Sequence, residues 1–170
     1  VYEETSYANT NIAPSVVELD KIRYKFNTLR IRLANHTLVK DDAQMAEVES
    51  AIRKLQSELT ELTKNYETYI SDEQEKALLA ADVEGLKAYY DRMEPILSAS
   101  RSGEKELAQE LYIAIRTEAE KANGDIASHM DYKINVGQRR ALEAAAVLEN
   151  ATTKSMTISA LIVIATILLG

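Results

Sequence analysis

Arginine and tyrosine side chains carry most of the chemistry this sequence offers. Arg23, Arg30 and Arg32 recur within one stretch, LDKIRYKFNTLRIRLANH. A guanidinium is a planar fork that grips a carboxylate through paired hydrogen bonds. Arg30 follows Leu29 and stands four residues after Phe26. That puts it at the edge of an apolar stripe, where a charge is costly unless something pairs with it. An incoming carboxylate is one candidate partner. A Glu or Asp on a neighbouring helix, or water reached by snorkelling, is the other. Arg116 poses the same choice farther along. Tyr89, Tyr90 and Tyr112 offer hydroxyls able to orient a polar or ring-bearing ligand. The apolar spacing puts Tyr90 on the packing seam, where its ring fills core, and leaves Tyr89 outside.

Other chemistries find little support. His36 and His129 are the two histidines, far apart and without paired ligand spacing or an HExxH pattern, so no metal site is expected. Neither a nucleophile elbow nor a phosphate-binding loop nor a dinucleotide fingerprint is present. The chain is therefore expected not to be an enzyme, and no cofactor is implied. A formal net charge of −7 argues against nucleic acid as a partner. With no Cys, neither a disulfide nor a thiolate site is available.

The elements that must hold these side chains are long helices. Among 170 residues there are only five Gly and two Pro, and no stretch sustains the alternation of a strand. Ile12, Val16, Leu19, Ile22, Phe26, Leu29 and Leu33 form the seam of a first helix reaching about His36. Met45, Val48, Ile52, Leu55, Leu59, Leu62, Tyr66 and Tyr69 follow steps of three and four, giving a second from about Asp42 to Ile70. Asp41 and Asp42 stand where they can cap it. Ser71 and Gln74 have capping-box spacing for a third, from about Asp72 to Ser98. Its seam reads Leu79, Val83, Leu86, Tyr90, Met93 and Leu97, with a kink expected at Pro95. After the Ser100–Gly103 loop, with Ser102 as a cap, a fourth helix is expected to run unbroken. Its seam is Leu111, Ile115, Ala119, Ala122, Ile126, Met130, Ile134, Ala141, Ala144 and Leu148. Three steps of four from Ala122 to Ile134 would unwind the supercoil locally. Asn123-Gly124 is a possible break there, with Asp125 capping the restart. A separate stripe on the first helix, Val17, Tyr24, Ile31 and Leu38, recurs every seven residues. It fits a partner helix, possibly its own copy in a homodimer, equally well as a first helix buried on two sides.

The arrangement predicted is an all-α, antiparallel, up-down-up-down four-helix bundle over residues 1–154. Residues 155–170, SMTISALIVIATILLG, carry no charge and are apolar on every side of a helix. They read as the start of a transmembrane helix. Residues 1–4 read as the tail of an earlier one.

This layout resembles the sensor domain of methyl-accepting chemotaxis proteins over essentially the whole chain. The resemblance is carried by the opening Asn9-Thr10-Asn11-Ile12-Ala13-Pro14, the arginine-bearing first helix, the Asp41-Asp42 and SDEQ helix starts, and the final helix running into an apolar tail. It implies a homodimeric receptor of the bacterial inner membrane, its bundle facing the periplasm, that binds a small extracellular molecule and moves its last helix. In such receptors the ligand is an amino acid or organic acid, held toward the membrane-distal end. The resemblance places Arg30 and Arg32 on the first helix at the matching level, and Tyr112, Arg116 and Thr117 on the last. Sensor histidine kinases use similar bundles, so the output module stays open. The rival reading is a membrane-anchored structural or adaptor coiled coil with no small ligand.

Overall fold

The computed structural model describes the backbone of residues 6–169 and the side chains of residues 6–158. Six α-helices build four antiparallel rods: α1 (Ala13–Leu38), α2 (Asp42–Tyr66), α3 (Glu73–Asp91), α4 (Met93–Arg101), α5 (Lys105–Ala114) and α6 (Arg116–Leu169). A π-turn at Ala8–Ile12 leads into α1, and a 3₁₀ turn at Glu67–Tyr69 ends the second rod. No strand occurs among the described residues. The bundle is the antiparallel four-rod fold that the periodicity predicts.

Local chemistry sets the ends of the helices. Asp41 caps α2, its side chain accepting from the Gln44 amide. The cap of α3 is Asp72, not Ser71: its carboxylate accepts from the Glu75 amide at 2.8 Å. Glu75 reaches back past the cap to accept from the Ser71 amide, so the helix cap lies one residue later than the Ser71–Gln74 spacing suggested. The Ser102 side chain makes no cap; Glu104 occupies that position without a side-chain bond. Gly103 takes φ +79° in the turn, a conformation that favours glycine. The third rod breaks at Arg92. Pro95, near the start of α4, has no N–H to return to the Asp91 carbonyl, so the helix resets there. The fourth rod also breaks, contrary to the unbroken helix expected. The interruption falls at Ile115 (φ −88°, ψ 13°), where the sequence offers neither Pro nor Gly. Asn123-Gly124 and Asp125 lie inside continuous α6.

The core is built of heptad stripes. Leu19, Ile22, Phe26, Leu29 and Leu33 of α1 are fully buried, as are Ile52, Leu59 and Tyr66 of α2. Two stripes differ from expectation. On the third rod the buried series is Glu75, Leu79, Asp82, Leu86, Tyr89, Met93, Ile96 and Ser100, while Val83 is exposed and Tyr90 only half-buried. On α6 the buried series is Ala119, Ala122, Ile126, His129, Lys133 and Val136; Ile134 is exposed. Its steps alternate four and three, so the supposed unwinding does not arise. In both rods a charged or polar side chain occupies the core position; Val83 beside Asp82 and Ile134 beside Lys133 point outward, while Met130 beside His129 is half-buried.

The second stripe of α1 faces outward. Val17, Tyr24, Ile31 and Leu38 are all more than half exposed within the single chain, which excludes a first helix buried on two sides. The proposed membrane segment falls largely on residues 159–170, whose side chains lie outside the described residues, as do residues 1–4. Among the described residues no helix is long and apolar enough to cross a membrane. Helix α6 itself continues past residue 154 without a break.

Candidate ligand site

A cavity of about 210 Å³ opens between α1 and the rods formed by α3–α4 and α5–α6. Its walls are Arg30, Tyr89, Tyr112, Ile113, Ile115, Arg116 and Ala119. The break at Ile115 is part of this wall, and the break at Arg92 lies level with it, Arg92 Nε standing 3.6 Å from Glu118 Oε1. Both interrupted rods therefore change course beside the cavity.

Arg30 is held from two sides. Its Nη1 donates to Asn27 Oδ1 at 3.1 Å, and its guanidinium lies 6.0 Å from the Phe26 ring centre. Asn27 Oδ1 also accepts from Asn123 Nδ2 of α6 at 3.2 Å. Tyr112 donates its hydroxyl to the Arg30 carbonyl at 3.4 Å, a long bond. No carboxylate of the described residues forms an ion pair with Arg30. Tyr89 packs edge-on against Phe26, ring centres 5.1 Å apart. Its buried hydroxyl makes no hydrogen bond of ordinary geometry among the described residues, but it faces the Arg30 guanidinium. Burial pushes that hydroxyl's pKa upward, so it stays a neutral phenol, able to donate and to accept. Arg116 is exposed and bonded to Glu120 at 2.6 Å, so its charge is already partly answered.

Of the residues singled out in the sequence, the structure brings Arg30, Tyr89, Tyr112 and Arg116 to this one cavity. Arg32 and Thr117 are exposed and do not line it. Tyr90 faces the other side of its helix, toward Leu59 and Thr63 of α2. Tyr90 packs against the core as expected, but Tyr89, expected outside, is more deeply buried and lines the cavity, because the stripe runs through Asp82 instead of Val83. Arg23 is exposed and paired with Asp20 on its own helix. Asn27 drew no expectation from the sequence, and Asn123 only that of a possible helix break. Their signal was position, each following a core residue, Phe26 and Ala122, on helices that face one another.

The chain matches the family model described as a four helix bundle sensory module for signal transduction, over residues 6–148. This chain belongs to that family. The match spans all four rods and the cavity between them, and bears out the resemblance to chemoreceptor sensor domains. No curated protein matches the chain.

The sensory module also carries a dense polar cluster beside the α1–α2 and α4–α5 loops. His36 Nε2 lies 3.1 Å from Glu49 Oε1, and Arg101 bridges Glu49 and Glu94. Ser100 donates to the His36 carbonyl at 2.7 Å and accepts from Lys105 Nζ at 2.7 Å. These bonds close the loops over the core. No group of His, Asp or Glu among the described residues is arranged to hold a metal ion.

Proposed function

We propose that this sensory module binds a small carboxylate in the cavity beside Arg30 and reports its occupancy through α6 across the inner membrane, with the bundle in the periplasm. One observation carries the reading. A guanidinium with no carboxylate partner and a buried phenol that faces it without a hydrogen bond of ordinary geometry share one small cavity. A carboxylate supplies acceptors for both. At about 210 Å³ the cavity is below the roughly 300–1,000 Å³ of drug-sized ligand sites, which favours an amino acid or a small organic acid. The cavity straddles α1 and the fourth rod. A ligand that contacts both favours one relative placement of the two, which is what a differential signal requires. The outward stripe Val17, Tyr24, Ile31 and Leu38 supports a homodimer with α1 at the interface.

The test is a thermal-shift screen of the chain against amino acids, dicarboxylates, citrate and ring carboxylates. A ligand at 100 times its dissociation constant stabilises the fold by about 2.7 kcal/mol. The shift is expected to vanish in Arg30→Ala and to persist in Arg32→Ala. A ligand that stabilises both variants equally binds elsewhere and refutes the assignment.

A further inference from the structure

Two bonded pairs of the same spacing stand one heptad apart on α1. Arg23 Nη2 lies 2.6 Å from Asp20 Oδ1, and Arg30 Nη1 donates to Asn27 Oδ1 at 3.1 Å. The first guanidinium meets a carboxylate and the second a neutral amide. On other helices the partner is again a carboxylate: Arg53 pairs with Glu49, Arg92 with Glu118 and Arg116 with Glu120. A carboxylate at position 27 would answer the charge of Arg30. The amide oxygen holds the guanidinium in place and leaves its charge for an incoming anion.

The Asn27 oxygen also faces α6, where it accepts from Asn123 Nδ2 at 3.2 Å. The polarity of this chain of bonds has one source. A guanidinium only donates, so Asn27 must turn its oxygen toward Arg30. Asn123 then meets an oxygen and must present its NH2. Its own Oδ1 is left buried, with no hydrogen-bond partner among the described residues. An unpaired buried acceptor costs stability, and that cost falls on Asn123 because the oxygen it faces is fixed by Arg30. Neither asparagine lines the cavity.

We propose that Asn27 is the positioning residue of this site: it holds Arg30 in place without neutralising it, and Asn123 holds Asn27 from α6. This role rests on the carboxylate reading and deepens it. An Asn27 amide with its NH2 turned inward cannot hold a guanidinium, since both groups are donors. Asn123 selects the orientation that does. A placement of α6 that keeps Asn123 on Asn27 is therefore the one that binds the ligand best. By reciprocity, the ligand favours that placement of α6. Occupancy then reaches α6 through two amides that the ligand never touches.

Nitrogen NMR of the Arg30 Nε–H in the full chain tests this, with the signal assigned by its loss in Arg30→Lys. Without ligand, the Arg30 side chain is expected to lose order in Asn27→Leu and in Asn123→Leu. It is expected to keep order in Asn27→Asp, whose carboxylate still accepts from both neighbours. Acetate, succinate and benzoate are then titrated, and the acid that binds the native chain most tightly is used throughout. Its dissociation constant is expected to rise at least threefold in Asn27→Leu and in Asn123→Leu. In Asn27→Asp the guanidinium stays ordered but its charge is answered, so binding is expected to weaken at least tenfold. Order kept while affinity is lost is a result that a merely structural role does not produce. Unchanged Arg30 order in Asn27→Leu overturns the positioning role, and native affinity in Asn27→Asp overturns the reason for an amide at this place. Unchanged affinity in Asn123→Leu overturns the link to α6. If none of the three acids moves the Arg30 signal of the native chain, the carboxylate reading falls, while the order measurements still decide whether Asn27 positions Arg30.

Discussion

Lys133→Met tests the electrostatics of the core most directly. The ammonium sits 2.6 Å from Glu75 Oε1 with both side chains fully buried. Methionine fills nearly the same space and removes only the charge and its donors. Glu75 keeps Tyr66 and Ser71 but loses its counterion. Breaking a buried pair from one side costs about 3–5 kcal/mol. For a chain of this size each kcal/mol moves the melting temperature by about 2–4 °C, so a loss of roughly 6–20 °C is expected. The pH dependence supplies a signature that simple loss of packing lacks. Burial pushes the Glu75 carboxyl up, but bonds from Lys133 and Ser71 outweigh it and hold the pKa below the ordinary value. In the native protein Glu75 therefore contributes stability above its unfolded pKa of about 4.3, lost as pH falls through the lower folded value. In Lys133→Met burial is no longer opposed by the ammonium, and the folded pKa rises above the unfolded one. The penalty is then present at pH 7 and relieved as pH falls toward 4. Calorimetry at pH 7 and pH 4 should show the gap between native and variant shrinking on acidification. Glu75→Leu/Lys133→Met, with both charges gone, should recover most of the loss. A single variant within about 1 kcal/mol of native, or a double variant less stable than the single, would refute the reasoning.

His36 gives a second pH-dependent contribution. Burial, only partly opposed by its bond to Glu49, lowers its pKa below the usual 6.5. The unfolded chain then takes up the proton first, so this contribution is fully present above pH 6.5 and is lost as pH falls through the folded value. Chemical denaturation between pH 7.5 and pH 5 should show a shallower loss in His36→Gln than in the native chain; an identical slope would contradict the assignment. For the proposed homodimer, Tyr24→Glu/Ile31→Glu puts charge on a stripe more than half exposed in the single chain. Sedimentation equilibrium should show weaker association by at least tenfold with the monomer fold retained, and an unchanged constant would move the interface elsewhere.

The second rod was legible in the sequence because its core positions are nearly all apolar, from Met45 through Tyr66. The third and fourth were displaced by one residue wherever a polar side chain holds the core. A search for apolar spacing slides from Asp82 to Val83, from His129 to Met130 and from Lys133 to Ile134. Each slide turns the apparent face by about 100°. That is why Tyr89 did not look like core. The cavity residues show the same geometry. Arg30 was legible because it abuts Leu29, but Arg32 is two residues farther, about 200° around the helix, and Thr117 is one step off Arg116. A polar residue in a core stripe becomes readable only with its partner: Glu75 makes sense beside Lys133, and Asp82 beside His129, on helices that meet only in the fold. The positions that a single helix cannot explain are therefore those where two helices specify each other. In this module they lie where α3 meets α6.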